Sequence, residues 1–332
     1  MAATLRDVAR LAGVSTSTAS RALTLPERVN AATRAKVQAA ATSIGYAPNK
    51  AARGLITGRT GTIGLVLPDL ANPFFPSVAK GVQARARAAD VAVFLADTDE
   101  DAAAEAGLVQ ALSKQVDGLI LCSPRMSVDE LNAVAADTTV VLVNRLVGDL
   151  PAVIFDHQDG MRQPIAHLVA LGHRRIAWVG GPATSWSSEQ RGKGLAVAAA
   201  ELGVELIEVG HFPPHYDGGM AAADQVVATG ASAVVAYNDL VALGLLARLH
   251  TRGIAVPGDL SVVGIDDIAM SRMARPALTT VRMPKQQAGR LAVELLLSLL
   301  DGVESGARKT LTVELMVRDS TGVNQRPEDG TV

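Results

Sequence analysis

The sequence predicts an α/β protein in which a small all-helical head precedes a two-lobed core of doubly wound parallel sheets. Three observations support this fold class. Residues 4–23 have the spacing of two short helices joined through Gly13. From Thr62 onward, apolar strand candidates alternate with amphipathic helical segments. Basic residues also concentrate at the N-terminal end, which sets the head apart from the rest of the chain.

The first two helices are predicted from their capping residues and apolar spacing. Thr4 is a suitable N-cap with Asp7 three residues later, and Gly13 supplies the turn. The second helix is expected to start at the N-cap Ser15, with Val14 packing as a hydrophobic staple. The side chains expected to form a shared apolar core are Leu5, Val8, Ala9, Leu11, Ala19, Ala22 and Leu23.

The other face of the second helix has short polar side chains and one long cation. This face contains Thr16, Ser17, Ser20 and Arg21. Such a surface fits the major groove of DNA, where an arginine can donate two hydrogen bonds to guanine. Two short amphipathic helices joined by a glycine also occur without any DNA-binding role, so the helix pattern alone leaves both interpretations open.

The charge distribution favours DNA binding. Residues 1–60 contain nine Lys and Arg and two Asp and Glu, a net charge of +7. Because the whole chain has 31 basic and 33 acidic residues, the remainder has 22 basic and 31 acidic residues and a net charge of −9. A basic head on an acidic body is typical of a protein that contacts phosphates at one end only.

A third helix and a linker complete the N-terminal region. Asn30 is expected to cap a helix that runs to about Ile44 and is stopped by Gly45. Asn49 can cap a further helix of about one and a half turns, which is too short to be stable alone in water. A segment that folds only against a partner could be switched by a ligand, although an ordinary basic linker would have the same composition.

Eleven strands are predicted in the core. Continuous apolar strands separated by helices are typical of parallel sheets covered on both faces, and ligands bind at the carboxyl ends of such strands. The predicted strands are Ile63–Leu67, Val91–Ala96, Gly118–Cys122, Val140–Asn144, Val153–Asp156, Arg175–Val179, Val204–Val209, Ala233–Tyr237, Leu260–Ile265, Thr279–Arg282 and Leu311–Val317.

Polar and aromatic residues cluster at or near these strand ends. The chain has only two Trp, three Tyr and five Phe, so aromatic residues near strand ends suggest a ligand site more than core filling. Together the side chains predict a carbohydrate site, with a nucleoside or purine as the alternative because the aromatic rings could stack on a base. The candidate effector-binding residues are Phe74, Phe75, Ser123, Asn144, Arg145, Asp156, Trp186, Arg191, Phe212, Asn238 and Asp266. Asp239 and Asp267 are expected to cap helices instead.

No enzyme motif is recognised. Gly180-Gly181 is too sparse for a dinucleotide fingerprint, and Gly192-Lys193-Gly194 lacks the other residues of a phosphate loop. His211 and His215 are four residues apart, but the prolines between them exclude a metal-binding helix. We therefore expect no catalytic residue, metal or cofactor. A secreted sugar-binding transport protein would explain the body of the chain but not its basic head.

The expected compartment is the cytoplasm. Cys122 is the only cysteine, so no internal disulfide can form, and a reducing environment fits. No segment approaches the ~18 uninterrupted apolar residues of a membrane span, and an apolar signal segment is missing. No membrane partner is expected.

The head and linker resemble the LacI/GalR family of transcription regulators. The resemblance rests on Leu5-Arg6-Asp7-Val8-Ala9, Gly13-Val14-Ser15, Ser20-Arg21-Ala22-Leu23, Thr33-Arg34, Gly45-Tyr46, Pro48-Asn49 and Ala52-Arg53-Gly54-Leu55, and it continues through nearly the full length. It implies a periplasmic-binding-protein-like core and a transcriptional repressor that binds a pseudo-palindromic DNA operator. Ala19 stands where the family often has a larger β-branched residue, which affects head packing more than base contacts.

The resemblance also implies roles for individual residues. Thr16, Ser17 and Arg21 would contact base edges, Leu55 would insert into the minor groove as a wedge, and Arg191 and Asp266 match ligand-contacting positions. The full set of candidate DNA-binding residues is Thr4, Leu5, Ser15, Thr16, Ser17, Thr18, Ser20, Arg21, Asn30, Tyr46, Asn49, Lys50, Ala52, Arg53 and Leu55.

The expected domains are a head, a hinge and an effector-binding core, with a homodimer as the assembly. A dimer matches a two-fold operator, and the apolar helix around residues 286–300 is expected to contribute to the subunit interface. The tail from Arg318 has no heptad pattern, so no tetramerising coiled coil is expected. The expected bounds are 1–47 for the head, 48–60 for the hinge and 61–332 for the core, with lobe 1 at about 61–157 plus 285–317 and lobe 2 at about 158–284 plus 318–330.

Overall fold

The computed structural model describes residues 3–24, 26–46, 59–303 and 308–325. The chain divides into two compact units. The first, which we call the head unit, extends to Thr62 and includes Gln115–Asp117, and the second, the core, contains the other residues. Most of the predicted hinge, including Asn49, Lys50, Ala52, Arg53 and Leu55, lies outside the described residues.

The head contains three helices as predicted, and their caps follow the sequence signals. Thr4 and Asp7 form a capping box, Ser15 accepts a hydrogen bond from the amide of Thr18 at 3.1 Å, and Asn30 accepts one from that of Thr33 at 2.8 Å. The helices are α1 (Leu5–Ala12), α2 (Thr16–Thr24) and α3 (Ala31–Ser43), with a 3₁₀ turn at Pro26–Arg28.

The core of the head is small and rich in alanine. Its buried side chains are Val8, Ala9, Ala19, Ala22, Val37, Ala40 and Ala41. Leu5 and Leu23 are partly buried against this cluster, as expected. The prediction for Leu11 was wrong, because its side chain is 58% exposed. Leu11 lies three residues after Val8 on α1, but the side chain that packs against the apolar cluster at this turn is that of Ala12.

Lobe 1 of the core is a six-stranded sheet with helices packed against it. Its strand order is β11-β5-β4-β3-β1-β2, and the pairs that β3, β4 and β5 make with their neighbours are parallel. The strands and helices are β1 (Thr62–Leu67), α4 (Phe74–Ala88), β2 (Ala92–Asp97), α5 (Ala102–Ser113), β3 (Gly118–Cys122), α6 (Val128–Asp137), β4 (Val140–Val143), β5 (Ala152–Phe155), α12 (Lys285–Leu300) and β11 (Arg308–Leu311).

Lobe 2 has a second six-stranded sheet in the order β12-β10-β9-β8-β6-β7, in which only the β10–β12 pair is antiparallel. This arrangement confirms the predicted pair of parallel sheets. The elements are α7 (His157–Ala170), β6 (Arg175–Gly180), α8 (Trp186–Leu202), β7 (Glu205–His211), α9 (Tyr216–Ala228), β8 (Ala233–Ala236), α10 (Asp239–Thr251), β9 (Ser261–Asp266), α11 (Ala269–Met273), β10 (Thr279–Arg282) and β12 (Glu314–Met316).

Ten of the eleven predicted strands occur close to their predicted bounds, but Leu311–Val317 is not one strand. Leu311 ends β11, which pairs with β5 in lobe 1, whereas Glu314–Met316 forms β12, which pairs with β10 in lobe 2. The chain therefore crosses between the lobes at residues 312–313, earlier than the expected boundary at residue 317. A continuous apolar run cannot show that its hydrogen-bonding partner changes along its length.

Helix α12 uses its apolar side chains within its own lobe. It packs against α4, β3, β4 and β5. The leucines of this helix are buried or partly buried against the core cluster, so most of its apolar surface is used within the lobe. The expectation that the helix also contributes to a subunit interface stays a prediction. Large apolar side chains are exposed elsewhere, for example Phe94 and Leu95 on the edge strand β2.

Candidate nucleic-acid and ligand sites

The outer face of α2 is the candidate DNA-contacting surface. Thr16, Ser17 and Arg21 are exposed there, while Thr18 and Ser20 are partly exposed. The buried Ala19 and Ala22 hold the helix against the head core, so the polar face points away from that core. Short hydroxyl side chains beside one arginine can reach base edges and phosphates.

Other predicted DNA-binding residues have structural roles in the head. Thr4, Ser15 and Asn30 are the N-caps described above, and a cap can still present its backbone amides to a phosphate. Leu5 and Tyr46 are partly buried against the apolar cluster of the head. Part of each side chain therefore contributes to packing, and the DNA contacts of both residues stay predictions.

In the core, one small cavity is lined by side chains of both lobes, and we call it the cleft cavity. Its volume is about 10 Å³, close to the space that one water needs. The lining side chains themselves therefore fill most of the cleft. They are Asn72, Phe74, Phe75, Glu100, Ser123, Arg125 and Asn144 of lobe 1 and Ser187, Arg191, Pro214, Tyr237, Asn238 and Asp266 of lobe 2.

Arg191 is the central cation of the lobe 2 wall. Its Nη2 lies 3.4 Å from Oδ1 of Asp266, its Nη1 donates to the carbonyl of Tyr237, and its guanidinium lies 4.9 Å from the centre of the Tyr237 ring. The buried Nε of Arg191 has no hydrogen-bond partner among the described residues. Burial raises the pKa of Asp266, although Arg191 and Lys285 oppose that shift. The pair therefore offers a donor and an acceptor to a ligand.

A chain of neutral hydrogen bonds runs from the lobe 1 wall of the cleft cavity to His157, the first residue of α7. Asn144 donates to Oγ of Ser123 at 2.9 Å, and its Oδ1 lies 2.9 Å from Nε2 of His157. The His157 ring packs edge-on against Trp186 of lobe 2, with 5.7 Å between ring centres. Burial, followed by the charge of Arg191, lowers the pKa of His157 to about 3. His157 is therefore neutral and links residues of the two lobes.

A second ion pair, absent from the predicted site, lies in the lobe 1 wall. Nε and Nη2 of Arg125 donate to the two carboxylate oxygens of Glu100 at 2.9 and 3.0 Å. The buried carboxylate of Glu105 accepts hydrogen bonds from the backbone amides of Arg125 and Met126. Burial raises the pKa of Glu105, and these two donors oppose that shift. Glu105 therefore fixes the loop that carries Arg125.

The backbone at several strand ends adopts a left-handed conformation in residues other than glycine. Ser123, Asn144 and Asp266, each at the carboxyl end of a strand, have φ values of 48°, 58° and 120°. Such conformations cost of order 1–3 kcal/mol each and are found most often at functional sites. Here they aim polar side chains at the cleft cavity.

Seven of the eleven predicted effector-binding residues line the cleft cavity, and four do not. Arg145 is buried and donates to the carbonyl of Pro124, and Asp156 caps α7 through the amide of Asp159. Trp186 begins α8 and packs against His157, while Phe212 packs against the lobe 2 core. Each of these four residues follows a strand closely in sequence, but its side chain contacts another helix or loop and does not face the cavity.

Six lining residues were not among the predicted ones: Asn72, Glu100, Arg125, Ser187, Pro214 and Tyr237. A signal was available for some of them, because Asn72 adjoins Phe74 and Tyr237 directly follows β8. Glu100 and Arg125 follow strands less directly. Only the sheet order, which places β3, β1 and β2 side by side, brings these two residues together.

Asp239 and Asp267 do not cap helices as expected. Asn238 caps α10 through the amide of Val241, and Asp239 is fully buried, where it accepts hydrogen bonds from Ser271 and Ile268. The carboxylate of Asp267 binds three guanidinium groups. They belong to Arg272, Arg282 and Arg318.

No group of three or more His, Cys, Asp and Glu side chains in the described ranges is arranged to hold a metal ion. Within the same ranges, none of the helices has the length and apolar character needed to cross a membrane.

Comparison with known proteins agrees with both units. Residues 4–49 match the family "Bacterial regulatory proteins, lacI family", and residues 165–321 match "Periplasmic binding protein-like domain". The HTH-type transcriptional repressor CytR of Escherichia coli (strain K12) is 32% identical over 332 residues, which cover 96% of each chain.

Solved structures agree as well. A Lac repressor dimer bound to operator and the anti-inducer ONPF has a TM-score of 0.85 and 30% identity, covering 97% of this chain and 100% of that one. The regulator CelR in complex with cellobiose has a TM-score of 0.72 and 31% identity, covering 96% and 99%. The resemblance seen in the sequence is confirmed, and the chain belongs to the LacI family of bacterial regulatory proteins.

Proposed function

We propose that the protein is a transcriptional repressor that binds a pseudo-palindromic DNA operator as a homodimer and changes its DNA affinity when a sugar binds in the cleft cavity. The observation that carries this proposal is that one chain joins a basic helix-turn-helix head to an acidic core whose two lobes share a polar cavity. It is a binding protein and not an enzyme. Its compartment is the cytoplasm, where the DNA is.

The domain roles follow from this proposal. Residues 1–47 contact the operator, 48–60 act as the hinge, and 61–332 bind the effector and the second subunit. Thr16, Ser17 and Arg21 supply the major-groove contacts, which their exposure on α2 supports. Leu55 of the hinge wedges into the minor groove, a role that rests on the sequence resemblance alone.

The effector acts by fixing the arrangement of the lobes. The cleft cavity has space for about one water, so the lobes must move apart to admit a sugar. Ser123 and Asn144 of lobe 1 and Arg191, Asn238 and Asp266 of lobe 2 then bind it from opposite walls. A ligand that binds one lobe arrangement more tightly shifts the equilibrium toward it and changes the spacing of the two hinge segments. Couplings of this kind are typically ~1–3 kcal/mol, or roughly 5–150-fold in operator affinity.

A sugar is favoured over a nucleoside by the composition of the cavity. Amides, hydroxyls and ion pairs outnumber the aromatic rings of Phe74, Phe75 and Tyr237, and this mixture suits a ligand with many hydroxyl groups. The similarity to CelR, which was solved with cellobiose, supports the same class.

Two measurements on the full-length protein test the proposal. Selection of bound duplexes from a random library should enrich a palindromic sequence, and a thermal-shift screen of sugars and nucleosides should find a stabilising sugar that alters binding to the enriched duplex. A protein with no sequence preference at moderate salt, with or without these ligands, would refute the regulator. Stabilisation by nucleosides alone would refute only the sugar.

A further inference from the structure

The Glu100–Arg125 pair is held in place by more than its own contacts. Arg125 is anchored by its Nη1, which donates to the carbonyl of Ser123 at 3.0 Å, and by the Glu105 contacts to its backbone. Glu100 has a φ of 56° and donates from its amide to the carbonyl of Pro68 at 2.6 Å. A strained backbone and a second buried carboxylate thus fix both members at the cavity wall.

A buried ion pair such as this one is weak evidence for added stability. The Arg125 side chain is 2% exposed and that of Glu100 is 17% exposed, so both charges are largely desolvated. Apolar side chains of similar volume often give equal or greater stability at such places. The cost is easier to explain if the pair has a function at the cavity.

The opposite wall has a pair of the same chemistry. Arg191 and Asp266 of lobe 2 are 3% and 5% exposed, and they line the same cavity as Glu100 and Arg125. Each pair presents an anionic acceptor beside a cationic donor. Two neighbouring hydroxyls match such a pair, because one can donate to the carboxylate while the other accepts from the guanidinium.

The charges of the cavity wall also balance. The two cations, Arg125 and Arg191, are matched by Glu100 and Asp266, and the other lining residues are neutral. Because each guanidinium is already paired with its carboxylate, a ligand carboxylate or phosphate would bring an uncompensated negative charge close to Glu100 or Asp266, whereas a neutral polyol would not.

Building on the proposed function, we infer that Glu100 and Arg125 form the lobe 1 end of the effector site, and that this pair selects a neutral sugar with adjacent hydroxyls against its anionic derivatives.

The test measures the affinity of the full-length protein for matched neutral and anionic sugars by calorimetry. The pairs are D-glucose with D-glucuronate, D-ribose with D-ribose 5-phosphate, and cellobiose with cellobionate. The wild type should bind at least one neutral sugar about tenfold more tightly than its anionic partner. Glu100→Gln should weaken the neutral sugar about tenfold, since a charge-assisted hydrogen bond is lost, and should shift preference toward the anion because Arg125 is then unpaired.

Glu205→Gln is the matched control. Glu205 also pairs with an arginine, Arg175, at 2.8 Å, but at the amino ends of β6 and β7 and in solvent. This variant should bind both members of each sugar pair as the wild type does.

A double variant separates ligand binding from folding. Glu100→Gln combined with Arg125→Met restores charge balance at similar volume. If the pair has only a structural role, the double variant should regain both its melting temperature and its sugar affinity. If the pair binds the sugar, the melting temperature should recover while the sugar affinity stays low.

Three results would overturn the inference. The first is that Glu100→Gln binds the neutral sugar within twofold of the wild-type affinity, and the second is that the double variant regains its sugar affinity. The third is that the wild type binds none of the neutral sugars. None of these touches the regulator itself, which stands or falls on sequence-selective DNA binding.

Discussion

At the cleft cavity, the side chain of Arg191 does not have a full set of hydrogen-bond partners among the described residues. Arg191 has a buried Nε without a partner among the described residues, and its contact with Asp266 is long at 3.4 Å. A buried donor that is not fully satisfied costs free energy, and a ligand oxygen can recover it.

Arg191→Ala should abolish the response of DNA binding to the effector while leaving operator affinity without effector nearly unchanged. The reason is that Arg191 lies in the core, where it donates hydrogen bonds to the cavity residues Tyr237 and Asp266, whereas the head is expected to make the DNA contacts. Fluorescence anisotropy with labelled operator, with and without the sugar found by screening, measures both quantities. Loss of DNA binding with the ligand response retained would contradict the assignment.

His157 should make stability depend on pH. Its pKa in the folded protein is about 3, so between that value and its ordinary value of 6.5 the unfolded chain takes up a proton that the folded chain does not. Stability is therefore full above pH 6.5 and falls as the pH drops toward 3. The loss between pH 7.5 and pH 5 should be about 2 kcal/mol from this residue.

Urea unfolding of wild type and His157→Gln at the two pH values checks this expectation. The glutamine can keep a hydrogen bond to Asn144 but does not titrate, so its stability should change less with pH. Equal changes in the two proteins would show that other groups cause the pH dependence.

Arg21→Ala should weaken operator binding by about 1–3 kcal/mol and relax base preference at one position of each half-site. Arg21 is exposed on α2 and can donate to two guanine acceptors. Arg10→Ala is a suitable control, because Arg10 is an exposed arginine of α1 that pairs with Asp7. A uniform loss across all sequences would indicate a phosphate contact instead of base recognition.

Among the elements, the predicted hinge is the one whose role depends most on context. The sequence predicts a helix of about one and a half turns with Gly54 inside it, which is too short to be stable alone, so we expect its folding to be coupled to a partner. The head helices differ in this respect, because their capping residues and the apolar cluster that they share all belong to the head itself.

Leu55→Ala should weaken specific binding much more than non-specific binding. An apolar wedge acts only where the operator is bent and a base step is opened, whereas non-specific binding depends on phosphate contacts. Titration of operator and random duplex at the same salt concentration gives both affinities. Equal losses on the two duplexes would exclude the wedge.

At the scale of the whole molecule, we expect a dimer in solution. One head of this size buries too little DNA surface for high specificity, and two heads related by a two-fold axis match a palindromic operator. Sedimentation equilibrium of the full chain should give twice the monomer mass of 34.4 kDa. A monomer or a tetramer at micromolar concentration would count against the proposed assembly.

The sequence by itself determined the local features of this protein. Helix caps such as Ser15 and Asn30, the strand periodicity and the charge difference between head and core all depend on residues close together in the chain. Ten strands were therefore predicted close to their true bounds. Seven of the residues that line the cleft cavity were also among the candidates chosen from the sequence.

The tertiary structure alone decided which strand ends meet and which side chains are already engaged. Arg145 and Asp156 looked equivalent to Asn144 in sequence, but their side chains are used by Pro124 and the start of α7. Glu100 and Arg125 are 25 residues apart and meet only because the strands that precede them, β2 and β3, flank β1 in one sheet. Such pairings depend on hydrogen bonds between distant strands, which no local pattern of residues specifies.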